Sequence, residues 1–303
     1  VVFGIVNTKL VFEESLMTVG NKQRPGANLT AASKARGESQ KSTKKVVERA
    51  PEVTSVERAL TILELLAEKR QGLTTSDLSR RARIPKSTMS YILRTLVRRG
   101  YVRRDATTGY HTLGTRLLTL GGQAMQGMEL REVAMPHLRQ IVDRTRLGAH
   151  LAILDHGDAV YIERIESPGF IKMATWIGRR MPPQVTAVGK ALICHMDAHD
   201  IGEIVANHPI SPALPKSIQS LPRLYEELAL TRQRGYAIDD EESAMGVRCV
   251  ASSVVAASGE VVAAIGVSGT VSQLNDDYLS GIASIVRSAA LKLSAQLGSR
   301  ADR

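Results

Sequence analysis

The stretch that most constrains this chain runs from Pro85 to Arg99, Pro-Lys-Ser-Thr-Met-Ser-Tyr-Ile-Leu-Arg-Thr-Leu-Val-Arg-Arg. At helical period it places Met89, Ile92, Leu93, Leu96 and Val97 on one face, and Ser87, Ser90, Tyr91, Arg94 and Arg98 on the other. The first face asks for burial; the second offers hydroxyls, a ring and guanidinium groups fit for phosphates and base edges. Pro85 suits the first helical position, where its missing N–H would have had no partner, and Gly100 ends the helix. Taken alone, the segment also reads as a surface helix with solvated charges. Its neighbours decide between the two.

Upstream, a helix begins near Thr54, with Ser55 as N-cap and Val56, Ala59, Leu60, Leu63, Leu66 and Ala67 at apolar spacing. A second helix starts at Thr74 as N-cap, with Asp77 as its capping-box partner and Leu73 able to staple onto Leu78. It stops at Arg83-Ile84, and the helix after Pro85 follows at the spacing of a helix-turn-helix. Beyond Gly100, two short strands are expected around a turn from Asp105 to Gly109, with Tyr101, Val102, Tyr110 and Leu113 available to pack. Three helices and a hairpin make a winged helix-turn-helix over residues 54–114. Such folds bind either DNA or proteins, and the basic third helix and wing favour DNA. Ser87, Ser90, Tyr91 and Arg94 are expected to face the major groove, with Thr88 beside them on the same helix. Thr74, Lys86, Arg103, Arg104 and Thr108 are the candidates for phosphate and wing contacts.

With 303 residues, 43% of them hydrophobic, the chain can bury a core and is long enough for two domains. A formal net charge of +10 suits a polyanionic partner, nucleic acid or an anionic surface. No apolar run approaches the ~18 residues that span a bilayer, and the opening Val-Val-Phe-Gly-Ile-Val lacks the basic start of a signal peptide. Cys194 and Cys249 lack a Cys-x-x-Cys spacing, which argues against a zinc ribbon or disulfide framework and suits a reducing cytoplasm. Residues 1–53 are expected to form a disordered basic arm, either a solvated tail or a source of non-specific phosphate attraction.

Residues 115–130 read as a helical linker weakened by Gly121 and Gly122, and 131–298 as an α+β sensor domain that begins with a helix to Thr145. Strands are expected at Ala149–Asp155, Ala159–Ile165, Phe170–Trp176, Val247–Val255 and Val261–Ser268. Helices are expected at Val188–Met196, Ile201–Asn207 and Leu221–Arg234. A final helix is capped by Asn275, with Tyr278, Ile282, Ile285, Val286, Ala289 and Leu293 apolar. The seven histidines form no metal-ligand pattern, and no nucleophile elbow or phosphate-binding loop is present. Lys190 reads as a structural or surface residue. Cys249 could be a nucleophile beside Arg248, but adjacent strand residues face opposite ways, which favours a core or pocket thiol. No cofactor is called for. A ligand cavity needs only a few convergent polar groups, for which Thr186, Asp239, Cys249 and Ser268 are candidates.

Seven stretches, taken in order, resemble the IclR family of bacterial transcriptional regulators: Ser55–Leu63, Pro85-Lys-Ser-Thr88, Leu96–Val102, Ala187-Val-Gly-Lys-Ala-Leu192, Arg234–Glu241, Gly246–Ala251 and Val267-Ser-Gly269. The resemblance implies a winged helix, a helical linker and a C-terminal GAF-like effector-binding domain. It implies a homodimer or dimer of dimers on a pseudo-palindromic double-stranded DNA operator, in the cytoplasm with the nucleoid. RNA polymerase is a further candidate partner. The implied effector is a small organic acid or aromatic metabolite, bound by Phe170, Met173, Ala187, Val188, Asp239, Val247, Cys249, Gly266 and Ser268. The chain departs from common family usage at Pro183 and Gln184, where Leu-His is frequent, and at Ser253 and Thr270, where Pro is frequent.

Overall fold

The computed structural model describes residues 54–126, 128–167, 175–211 and 214–299. The expected arm over 1–53 lies outside them.

The first three helices are α1 (Thr54–Ala67), α2 (Thr75–Ala82) and α3 (Lys86–Arg98). Thr74 caps α2 in both directions: its hydroxyl accepts from the Asp77 amide at 3.2 Å and donates to Asp77 Oδ2 at 2.6 Å. Arg83 takes a left-handed conformation (φ 53°), and its N–H returns to the last turn of α2. Pro85 holds φ −53° and ψ 141°, so it is the cap of α3 and not its first residue, as the periodicity suggested: an extended ψ cannot join the helix. The buried face of α3 is Met89, Leu93 and Leu96, packed with Ile62, Leu66, Leu73, Leu78 and Val102. Val97, expected on that face, is exposed and borders a groove between α3 and the hairpin. In α1 the helix already includes Thr54, so Ser55 lies inside it and is not the cap. Its core stripe runs through Ile62 and Leu66, leaving Val56 and Leu60 exposed.

The hairpin pairs β1 (Val102–Arg104) with β2 (His111–Leu113), Arg104 opposite His111, and Leu73 adds a bridge to His111. Asp105 Oδ1 accepts from the amides of Thr107 and Thr108, and Gly109 closes the turn at φ +71°. Helix α4 (Arg116–Gln126) continues through Gly121 and Gly122 with no buried residue. Helix α5 (Glu129–Thr145) crosses the border expected at 130–131 and buries Ala134, Leu138, Ile141 and Val142.

The C-terminal sheet is antiparallel throughout. It contains β3 (Gly148–Asp155), β4 (Asp158–Ile165), β5 (Arg180–Met181), β6 (Ala237–Asp240), β7 (Val247–Val255) and β8 (Val261–Thr270), in the order β5-β4-β3-β8-β7-β6. One face packs Leu151, Ile265 and Val267 against α5 and α9 (Asp276–Gln296). The other packs Ala152, Ala264 and Ala251 against α6 (Ala187–Ile193), α7 (Ala198–Asn207) and α8 (Leu221–Arg234). The expected strand at Phe170–Trp176 falls mostly on residues outside the description, and Thr175 and Trp176 are not in a strand. Strand β5, at the sheet edge, and β6 were not foreseen. In α9 the Asn275 side chain accepts from the Tyr278 amide as expected, but Tyr278 itself is exposed, because burial of the helix begins at Ala283.

Gly189 and Lys190 show why α6 has its sequence. All seven residues of this helix are buried, and the 3-10 turn Pro183–Val185 lies directly against it. A Cβ on Gly189 would come within 2.3 Å of Pro183 Cα and closer still to the Pro183 carbonyl oxygen. Both obstructing atoms are backbone, which cannot rotate away. Gly189→Ala is therefore expected to destabilise the protein toward the upper end of the ~1–3 kcal/mol typical of overpacking, read as a lower denaturation midpoint with an unchanged m-value.

Candidate nucleic-acid interface and ligand cavity

Helix α3 presents Lys86, Ser87, Ser90, Tyr91 and Arg94 to solvent, with Thr88 half-buried. The Arg94 guanidinium carbon lies 4.8 Å from the centroid of the Tyr91 ring, which holds the plane of the guanidinium group over the aromatic face. Ser90 donates to the Lys86 carbonyl at 2.8 Å. On the hairpin Arg103, Arg104 and Thr108 are exposed. Between helix and hairpin runs a groove of about 520 Å³, lined by Ser90, Arg94, Arg98 and Arg104 and bounded by Thr75 and His111. Sequence reading missed Thr75 and His111, which are brought together because His111 of β2 bridges to Leu73, just ahead of α2. The Thr74 hydroxyl is committed to its cap, so the part of Thr74 free for a phosphate is its backbone at the start of α2.

The second site is a cavity of about 340 Å³ on the α6 face of the sheet. Ala187, Val188, Asp239, Val247, Cys249 and Ser268 line it as expected, and so does Thr186. Gly266 does not line it. It pairs with His150, and a Cβ there would come 2.7 Å from the Val250 carbonyl oxygen, 2.9 Å from Ala251 Cβ and 3.1 Å from His150 Nε2, so the close approach of β7 is what first requires the glycine. Phe170 and Met173 lie outside the described residues.

Asp239, Cys249 and Ser268 stand directly opposite one another on β6, β7 and β8, a transverse row of polar groups. Asp239 accepts from the amides of Glu242 and Ser243 and from the Ser243 hydroxyl. Burial nevertheless raises its pKa, outweighing those bonds and nearby Lys190. The Cys249 thiol lies 3.1 Å from the Ser268 hydroxyl, and burial pushes its pKa well up. A thiol held protonated is a poor nucleophile, so the geometry supports the pocket role for Cys249. The Thr186 hydroxyl caps α6 by accepting from the Gly189 amide at 3.0 Å.

The structure adds His150, Tyr161, Arg179 and Met181 to the wall, none of them foreseen. His150 and Tyr161 stand edge to face with centroids 5.3 Å apart. Tyr161 reaches the cavity through an irregularity in β4: Leu151 pairs with Glu163 while Ala152 pairs with Tyr161, so Ile162 is an extra residue. This bulge turns Glu163 to the opposite face, where it meets Arg131 of α5 at 2.5 Å.

Behind the wall lies Lys190, fully buried, with Nζ 2.6 Å from Glu242 Oε1 and 3.9 Å from Glu227 Oε1. Of the residues that depart from family usage, Gln184 is buried and donates to the His208 carbonyl, and Ser253 donates to the Ala191 carbonyl at 2.6 Å. Among the described residues one trio, Asp197, His199 and Asp200, brings three possible metal-ligand atoms within 4.8 Å of one another. All three are exposed at the start of α7, where Asp197 is the N-cap.

A basic winged helix followed in the same chain by an α+β domain with an internal cavity is the layout of a DNA-binding transcriptional regulator. The chain belongs to the IclR family: residues 55–106 match the IclR helix-turn-helix domain, and residues 122–295 match the bacterial transcriptional regulator IclR C-terminal domain. It is similar to the HTH-type transcriptional regulator XynR of Escherichia coli, with 35% identity across 82% of this chain and 98% of that protein. The HTH-type regulator KdgR of the same organism is 32% identical over 81% of this chain and 93% of its own. The crystal structure of an IclR transcriptional regulator from Alicyclobacillus acidocaldarius superposes with a TM-score of 0.71, covering 82% of this chain and all of that one. At 24% identity that likeness speaks for the fold.

Proposed function

We propose that this regulator binds a pseudo-palindromic operator as a homodimer and that a small organic acid or aromatic metabolite in the C-terminal cavity changes its operator affinity. The observation that carries the DNA half is the exposed face of α3, where Arg94, Ser90 and Lys86 stand beside a groove edged by Arg98 and Arg104. A base-reading Arg94, preset by Tyr91, gives a specific expectation. Arg94→Ala loses about 1–3 kcal/mol at one operator position, seen in mobility shifts as relaxed discrimination there. An equal loss on every sequence makes Arg94 a phosphate contact instead. Replacing Lys86, Arg103 or Arg104 by Ala is expected to weaken binding to all sequences alike and to flatten the salt dependence.

Two copies are needed to read two half-sites. Val56 and Leu60 on α1, and Leu118 and Leu120 on α4, are large apolar side chains left to solvent, which supports burial against a second copy. Leu118→Glu, at a side chain 76% exposed in one copy, is expected to shift sedimentation toward monomer and weaken operator binding without unfolding the chain. A DNA-binding role places its work in the cytoplasm with the nucleoid; no helix among the described residues is long and apolar enough to cross a membrane. The effector half is tested by measuring thermal stability and operator affinity together. A ligand that binds both states equally shifts nothing, so stabilisation with no change in operator affinity refutes the regulatory role of the cavity.

A further inference from the structure

The cavity wall contains two groups that the protein itself leaves incomplete. His150 is 5% exposed and Tyr161 7% as whole residues, and both line the cavity. Among the described residues neither the ring nitrogens of His150 nor the Tyr161 hydroxyl has a hydrogen-bond partner; their shared contact is ring to ring. The other polar groups nearby are engaged: Asp239 by the loop after β6, Cys249 with Ser268, Thr186 at the start of α6. Neither the His150 ring nitrogens nor the Tyr161 hydroxyl is among the fully buried polar atoms without a partner, so the polar ends of both side chains open into the cavity, where a ligand can reach them. Two donors side by side on the cavity wall, with no protein partner among the described residues, mark a position that a ligand completes.

The surrounding charge says what kind of ligand. His150 stands directly across from Arg164 on β4, and Arg179 lines the same wall beside Tyr161. The carboxylate of Asp239 lies at the other side of the cavity, on β6, with β7, β8 and β3 crossing from it to β4. Arg164 itself is engaged with Glu166 and the Thr175 carbonyl and does not line this cavity, so the cationic side chain on the wall is Arg179, beside Tyr161, with the carboxylate of Asp239 toward β6. Burial and the neighbouring Arg164 lower the pKa of His150 to about 4, and burial raises that of Tyr161. At neutral pH both groups are uncharged donors, an N–H and an O–H, as a hydrogen-bond acceptor requires.

We propose that His150 and Tyr161 are the specificity-determining pair of this regulator, donating together to the carboxylate of a small monocarboxylate effector. The inference rests on the effector-cavity reading and names the end of the cavity that reads the acid.

The test compares matched ligands on full-length native protein, Tyr161→Phe and His150→Leu. Benzoate, 4-hydroxybenzoate, glycolate and lactate are titrated by calorimetry, each beside its neutral amide. The native protein should bind at least one acid more tightly than its amide. Each variant should lose that preference by tenfold or more while its amide affinity stays within a few-fold, a ratio that a general loss of folding does not produce. Tyr161→Phe removes one oxygen and keeps the ring contact with His150, so it reports even where His150→Leu melts early. Acid binding with the same preference in native protein and in both variants overturns the proposal and leaves the effector reading standing. Failure of every acid and every amide to bind native protein overturns the small-acid reading of the cavity itself.

Discussion

Replacing Lys190 by methionine is expected to lower the unfolding free energy of the C-terminal domain by about 3–5 kcal/mol. The lysine is fully buried on α6 and faces two carboxylates from separate parts of the fold, Glu242 after β6 and Glu227 on α8. Methionine keeps most of the volume but leaves Glu242 without its counter-charge in a site where Glu242 Oε2 already lacks a partner. Breaking a buried pair in this way strands a charge, whereas removing both members costs much less. Adding Glu242→Leu to Lys190→Met should therefore recover most of the loss, and denaturant titration of the two single variants and the double variant measures it. The pH response gives a second check. Burial is the largest influence on Glu242 and raises its pKa, with Lys190 opposing. Without the lysine the carboxyl takes up a proton more readily, so the deficit of the single variant should shrink as pH is lowered. A deficit that is constant with pH would mean that Lys190 matters through packing alone.

The second large effect is on acid stability and belongs to His150. Its pKa in the folded protein is lowered from 6.5 to about 4, first by burial and then by the Arg164 charge. Between those values the unfolded chain binds a proton at this position and the folded chain does not. Stability contributed by the neutral imidazole is thus fully present above pH 6.5 and is lost as pH falls through about 4. The shift corresponds to about 3 kcal/mol across that window. His150→Gln removes the titrating group, so the difference in stability between native protein and variant should change by about this amount from pH 7 to pH 4. His111 and His195, also lowered by burial, contribute in the same direction and remain in both proteins, so they cancel in the difference. Asp155 and Asp240, held low by ion pairs and hydrogen bonds with arginines, and Asp239 and Glu242, raised by burial, are likewise present in both proteins and cancel in the difference. A flat difference would show that the imidazole is hydrated in the folded state.

The winged helix was readable because its signals are local. Thr74 and Asp77 form the cap that their spacing announced, Gly100 and Gly109 supply positive φ where the chain turns, and α8 and β7 have the expected limits. Where periodicity failed, in Val97, Val56, Leu60 and Tyr278, the helix was correct and its burial was not. A helical repeat gives one apolar stripe but not how wide a neighbour covers it.

The cavity was partly readable for a different reason. Asp239, Cys249 and Ser268, with Thr186, were legible as polar residues able to converge, whereas Ala187, Val188 and Val247 came through resemblance to a family, which supplies positions without their geometry. Alternation assigns strand residues to two faces; it does not say which face becomes concave, or where the alternation slips. The bulge at Ile162 puts Tyr161 in the cavity and Glu163 against α5. Lys190 shows the same limit, since the carboxylates that hold it are 37 and 52 residues away in sequence.

The sequence alone determined the helices and hairpin of the winged helix, the basic face of its third helix, the cap of its second, and the α+β class of the second domain. Each rests on hydrogen bonds and apolar spacing within a few residues. Only the tertiary structure decided that Lys190 is internal, that Gly266 lets β7 and His150 approach β8, and that His150 and Tyr161 meet on the cavity wall with no hydrogen-bond partner among the described residues. Those relations join β3, β4 and β8, and strand pairing and burial set them once the sheet has formed.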